Sequence, residues 1–212
     1  MLDEVNILKT LRKLLWLAGL CLFLVACQQS PADLSENIKA ESQNMIATLN
    51  TLQAADQKLQ AAFDADVKED ESLKILSSRK SQMKANHEER AKEFQRFEKA
   101  YEAWQKNIDQ LAAQKNKSKE AAYAYADVEP AAEASKKAMQ AFRTAYQKAL
   151  DEEENSMQAW QKEDADYQTF GGGIDQIEDA YQQGQKALAD GQEGLEALAG
   201  LKIETGGDHE SK

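Results

Sequence analysis

The chain is poor in the residues that punctuate folds. Its 212 residues include two prolines, Pro31 and Pro130, and ten glycines, none of them between Cys27 and Gly171. Strand-and-turn architectures need turn residues far more often, so they are excluded. Cysteine is confined to Cys21 and Cys27, which leaves the body without a disulfide framework. Histidine is confined to His87 and His209, too few and too far apart to support a two-histidine metal site or a Ser-His-Asp triad. Positive charge is also short: 26 Lys and Arg stand against 37 Asp and Glu, for a net charge of −11. Counterion release needs a cationic face, so nucleic acid is not an expected partner.

What is present begins with an address. Lys9, Arg12 and Lys13 precede an apolar run from Leu14 to Ala26 that closes on Cys27. The run is too short for a membrane span of roughly 20 residues and suits the core of a signal peptide. Leu24-Val25-Ala26-Cys27 resembles a bacterial lipobox, in which the thiol is alkylated by diacylglycerol and becomes the first residue of the mature chain. Residues 1–26 are therefore expected to be cleaved, Cys27 to carry lipid on the extracytoplasmic face of the cell membrane, and 27–33 to be a tether. Two acyl chains hold firmly where one is marginal.

From Leu34 to Leu201 apolar residues recur at helical spacing. The expected fold is all-α, an elongated up-and-down bundle of three to four long helices with a disordered tail over 202–212. The first helix runs to Phe63. A second, from Ser72 to Ala126, would be about 80 Å long and carries Phe94, Phe97, Tyr101, Trp104, Ile108 and Leu111 in one heptad register, with His87 and Arg90 in the same register. Pro130 predicts a break at 127–130, and Gly171-Gly172-Gly173 another before the last helix. Gly184 and Gly191 stand at core positions of that last helix, where two readings are open: they allow close approach to a bulky Trp or Tyr opposite, or the helix is frayed there.

Motifs for catalysis or metal binding are incomplete. His87-Glu88-Glu89-Arg90-Ala91 starts like H-E-x-x-H but has Ala91 where the second histidine belongs. Asp64-x-Asp66 starts like a calcium loop, yet Lys68 and Ile75 occupy ligand positions. Asp151-Glu152-Glu153-Glu154 reads as a solvated helix face. Trp104, Trp160, Tyr101, Tyr123, Tyr125 and Tyr146 are able to stack on sugar rings, though those on the seam suit a core better. No enzyme activity and no cofactor or metal are expected.

Charge is segregated along the chain. Residues 72–119 carry twelve Lys and Arg against six Asp and Glu, and Lys92, Lys99 and Lys106 recur every seven residues on the outer face of the second helix. Two readings are open. The basic helix pairs with acidic neighbours and so sets which helices pack together, or the three lysines contact an anionic envelope polymer or lipid headgroups. An alternative role for the whole bundle is as an adaptor docking an envelope protein.

Leu24-Val25-Ala26-Cys27, the aromatic and basic helix from Arg90 to Lys99, the segment from Ala141 to Leu150, and Gln161-Lys162-Glu163-Asp164 together resemble the YkyA-type putative cell-wall-binding lipoprotein family. The resemblance implies an extracytoplasmic all-α bundle with a wall-binding role and brings no catalytic residues. Gly171-Gly172-Gly173 is a departure from it.

Overall fold

The computed structural model describes residues 29–72, 74–162, 165 and 167–202. The signal segment 1–26, Cys27 and the tail from residue 203, including His209, lie outside the described residues. Among the described residues five α-helices run in order: α1 (Pro31–Asp56), α2 (Leu59–Glu69), α3 (Gln82–Gln114), α4 (Lys119–Trp160) and α5 (Tyr167–Ala199), with a 3-10 turn at Lys74–Ser77. Among the described residues there is no strand. The chain is an all-α up-and-down bundle, in which α1, α3, α4 and α5 alternate in direction and the 42 residues of α4 span about 63 Å.

Each helix start has a local cause. α1 begins at Pro31, three residues before the expected Leu34, because Ser30 and Asp33 form a reciprocal cap with Pro31 in the first turn. That shortens the expected 27–33 tether. α3 begins at Gln82, ten residues after the expected Ser72. Ser81 caps it, accepting from the Lys84 amide at 2.9 Å. Asp66, buried in α2, accepts from the Gln82 amide at 2.8 Å, the Met83 amide at 2.9 Å and the Ser81 hydroxyl at 2.6 Å. A carboxylate aimed at the first free amides of a helix is favourable both as a hydrogen-bond acceptor and against the helix dipole. Of the Asp64-x-Asp66 pair, Asp66 is thus the anchor of a helix start, while Asp64 is exposed and accepts from Gln60 in its own helix. Ser72 instead bonds to Asp70 in a local turn.

The two breaks expected at punctuating residues fall elsewhere. α3 ends at Gln114, so it spans 33 residues and about 50 Å in place of the expected 80 Å. Beyond Leu111 the register has only Lys115 and Ser118 to offer the core, and Ser118 caps α4 by accepting from the Ala121 amide at 3.0 Å. Pro130 lies inside α4. Its ring and Ala126, whose carbonyl loses its partner, are both exposed, while Val128 and Ala132 on the inner side are buried. The lost bond therefore faces solvent, and packing carries the helix through. Likewise Gly171, Gly172 and Gly173 lie within α5, and the break comes at 161–166, a polar stretch rich in charge. α5 ends at Ala199, just before Gly200 and two residues short of Leu201, where the helical apolar pattern stops.

The core is one seam of large side chains. Leu34, Ile38, Met45, Leu49 and Leu52 of α1 meet Phe94, Phe97, Tyr101 and Trp104 of α3, with Met139, Phe142, Tyr146 and Leu150 from α4 and Leu188, Leu195 and Leu198 from α5. Aromatic rings interdigitate across α3 and α4: Phe94 and Tyr146 lie 5.1 Å apart, and Phe97 and Phe142 cross edge to face at 5.2 Å. A smaller cluster of Leu76, Met83, Met157, Trp160 and Ile177, with Phe63 of α2 against it, closes one end.

Candidate functional site

Lys92, Lys99 and Lys106 are all exposed on α3, and none of them forms an ion pair among the described residues. Seven-residue spacing rotates each step by only about 20°, so the three make one stripe about 21 Å long. Arg96 adds a fourth cation, although its guanidinium is held by Glu93 at 2.6 Å. Glu88, Glu102 and Asp109 flank the lysines at helical spacing. The ion pairs joining α3 to α4, one half-buried and one exposed, have the polarity opposite to that of a basic α3 against an acidic neighbour: Glu98 accepts from Arg143 at 2.8 Å, and Asp109 lies 3.7 Å from Lys136. α3 thus spends acids on these contacts and keeps the three lysines facing outward.

The sugar-stacking candidates separate clearly. Trp104, Trp160, Tyr101 and Tyr146 are buried in the core. Tyr125 is half-buried beneath the Lys115 ammonium, 4.6 Å from its ring centre, and Tyr123 is 60% exposed.

Sequence reading missed a polar layer in the middle of the bundle. Arg90 and Glu153 are each fully buried, and Arg90 Nη2 donates to Glu153 Oε2 at 2.5 Å. Glu153 also accepts from the Tyr181 hydroxyl at 2.6 Å and faces His87 Nδ1 at 3.0 Å. Arg90 Nε donates to Asn86 Oδ1 at 2.7 Å, and the Asn86 amide donates to the Ala55 carbonyl at 2.9 Å. Arg90 Nη1 lies 3.5 Å from Asp56 Oδ1, which accepts from the Tyr146 hydroxyl at 2.9 Å. The signal was present in part. His87 and Arg90 sit in the α3 core register, and Glu153 falls between Leu150 and Met157 in the α4 register, so Asp151-Glu152-Glu153-Glu154 is a solvated run with one member turned inward.

Burial raises the Asp56 carboxyl from 3.8 to about 6, with Glu153 pushing the same way and the Tyr146 hydrogen bond and Arg90 opposing. Burial beside Asp56 also raises the Tyr146 phenol. A raised carboxyl pKa means that the folded chain binds the proton more tightly than the unfolded one. Its stabilising contribution is therefore full below pH 4 and is lost as pH rises toward 6. Asp56→Asn should then be about 3 kcal/mol more stable than wild type at pH 7.5 and only about 1 kcal/mol more stable at pH 4.5, on the scale of about 1.4 kcal/mol per pKa unit. Urea unfolding at the two pH values measures this, and a variant less stable at pH 7.5 would contradict it.

A family model described as "Putative cell-wall binding lipoprotein", the YkyA family, matches residues 29–204. The chain belongs to the YkyA family. No curated protein and no solved structure matches it. The match covers every described helix of this YkyA-family chain, including the segment with Gly171-Gly172-Gly173. The family description names a lipoprotein and cell-wall binding, and names no reaction. Among the described residues no group of three His, Cys, Asp or Glu is placed to hold a metal, and no helix is long and apolar enough to cross a membrane. The polar layer holds one buried cation against two carboxylates.

Proposed function

We propose that this protein is a non-catalytic envelope module, cleaved before Cys27, acylated at that residue and held on the extracytoplasmic face of the membrane, which contacts an anionic cell-wall polymer through Lys92, Lys99 and Lys106. The observation that supports the contact surface is the outward, ion-pair-free placement of the three lysines on α3, while Glu98 and Asp109 of the same helix are engaged with α4. The family description supports the wall as the partner. A rod some 60 Å long on a lipid tether is suited to reach from a membrane surface into a polymer layer.

The net charge, −11 for the whole sequence and −12 once Asp3, Glu4, Lys9, Arg12 and Lys13 leave with residues 1–26, opposes approach to an anionic polymer, so binding has to be local and salt-sensitive. The Debye length falls from ~10 Å at 0.1 M salt to ~3 Å at 1 M. At about 1 kcal/mol per lysine near an anionic surface, and with Glu88, Glu102 and Asp109 alongside, changing all three lysines to Gln should weaken binding by roughly 10–100-fold at low salt. Gln keeps helix propensity, so folding should be unaffected. Sedimentation with purified cell wall measures this. Equal sedimentation of variant and wild type would remove the stripe as the contact surface, and no sedimentation of either would favour the adaptor role.

A further inference from the structure

Between α1 and α5, over a floor supplied by α4, lies a cleft of about 460 Å³. That volume falls within the range of small-molecule sites, which combine apolar walls with a few convergent polar groups. The walls fit the description: Leu49, Leu52, Phe142 and Leu188 are buried there, and the Tyr146 and Tyr181 rings meet edge to face at 5.7 Å. Asp56 lies at the same wall. Its Oδ1 is taken by Tyr146 and faces Arg90, while its Oδ2 carries no hydrogen bond among the described residues and its side chain is 22% exposed.

The rim is unlike the rest of the surface. The exposed lining residues are Gln53 on α1, Gln57 just past its end, and Gln185, Ala189 and Gln192 on α5, all uncharged in a chain that is 30% charged. By contrast, the groove between α1 and α3 is lined by Glu41, Glu93, Arg96 and Lys99. Gln192 donates to Glu196 at 2.7 Å, and the side-chain amides of Gln53, Gln57 and Gln185 are uncommitted among the described residues. A carboxamide both donates and accepts, as a hydroxyl does. Paired amides across an aromatic and aliphatic floor therefore match a ligand with hydroxyls along its edges and C–H faces above and below. A strongly anionic ligand would meet Asp56, and Arg90 on the inner side of Asp56 offsets the pull on a cation.

We propose that the cleft between α1 and α5 is a binding site for an uncharged, hydroxyl-rich ligand of the saccharide class. The site is separate from the lysine stripe and does not depend on its wall-polymer role. Such a ligand is available either as wall glycan rich in N-acetylated amino sugars or as a free neutral oligosaccharide, and the probes distinguish the two.

The test is calorimetric titration of the full-length protein in a zwitterionic, sugar-free detergent. The probes are the β-1,4 tetramer of N-acetylglucosamine, maltotetraose, and the deacetylated, cationic form of the first. The expected result is a Kd of about 0.1–1 mM for at least one neutral tetramer. Binding of the N-acetylated tetramer alone assigns the site to wall-type glycan, and binding of maltotetraose as well assigns it to neutral oligosaccharides in general. Gln53→Ala with Gln185→Ala removes two exposed amides while keeping helix propensity, and should weaken binding at least about 10-fold. Ala189→Trp, at an exposed lining position, should abolish it by filling the cleft. The Lys92, Lys99 and Lys106 triple Gln variant should bind the tetramer as wild type does, which separates this site from the wall contact. The proposal is overturned if neither neutral tetramer binds at about 10 mM, if Ala189→Trp binds as wild type does, or if the cationic tetramer binds more tightly than both neutral ones.

Discussion

Glu153→Ala should cost about 3–5 kcal/mol of folding stability, the largest loss expected from a single polar substitution in this chain. The Glu153 carboxylate accepts from Arg90 and Tyr181 and faces His87 in a space closed to water. Removing it leaves the Arg90 guanidinium buried, with Asp56 at 3.5 Å as the remaining anion. Burial has already weakened the claim of Asp56 to its charge, so that partner compensates poorly. The cost comes from stranding a cation, and the intact pair is not thereby a large net stabiliser. Replacing both partners, Arg90→Met with Glu153→Leu, should consequently recover most of the loss. The exposed Asp109–Lys136 pair is the control: Lys136→Ala should change stability by less than about 1 kcal/mol. Equilibrium urea unfolding followed by helical circular dichroism measures all three. A cost below about 1 kcal/mol for Glu153→Ala would mean that water reaches the layer, and that the burial argument for it is wrong.

The bundle was legible in the sequence because its core is periodic. Ile38, Met45, Leu49 and Leu52, then Phe94, Phe97, Tyr101 and Trp104, then Met139, Phe142, Tyr146 and Leu150 all point inward at the spacing that identified them. The helix boundaries were less legible, since Pro130 and Gly171-Gly172-Gly173 are strong local signals overridden by packing. Ser118 and Ser81 are weaker local signals, and they prevail because apolar register runs out beside Ser118 and because Asp66 reaches the start of α3 from another helix. No local pattern announces that second contact. The polar layer has the same character. Register places Arg90, His87 and Glu153 on inner faces, but their partnership joins α3 to α4 across 63 residues of sequence, and Asp56 joins it from the end of α1. The lysine stripe was visible as a seven-residue repeat. That it is free of interhelical pairs depends on which α3 acids face α4. The cleft rim was the least legible feature, because Gln53 and Gln185 become neighbours of one space only when α1 and α5 lie side by side.

Substituting alanine for glycine along α5 should reverse sign between two positions ten residues apart, because α4 and α5 pack closely in one place and less so in another. A Cβ at Gly184 would meet Ala145 Cβ at 3.8 Å and Phe142 Cδ2 at 3.9 Å, which is ordinary contact. Gly184→Ala therefore gains helix propensity without strain and should stabilise by about 1 kcal/mol. At Gly194 the same carbon would press on Ser135 Oγ and stand 2.8 Å from the Ala131 carbonyl oxygen. The single Ser135 hydroxyl proton is shared between that carbonyl at 2.9 Å and the Gly191 carbonyl at 3.3 Å, so the side chain has little freedom to turn away, and a backbone oxygen moves only if α4 moves. Gly191 presents a similar approach, with Ala138 Cβ and Met139 Cε each 2.6 Å from the missing carbon. The approach at Gly191 is close, but its partners are Ala138 and Met139 of α4 and not the bulky Trp or Tyr expected there. Separating the helices here would loosen Leu195 and Leu198, both buried in the main core. Gly194→Ala should lose about 2–3 kcal/mol even after its propensity gain, since overpacking a fitted interface costs that order and the propensity gain offsets only about 1 kcal/mol. Thermal unfolding of the two single variants beside wild type measures both. If Gly194→Ala were as stable as Gly184→Ala, the α4–α5 seam would have slack at this level, and the glycines would have no packing role.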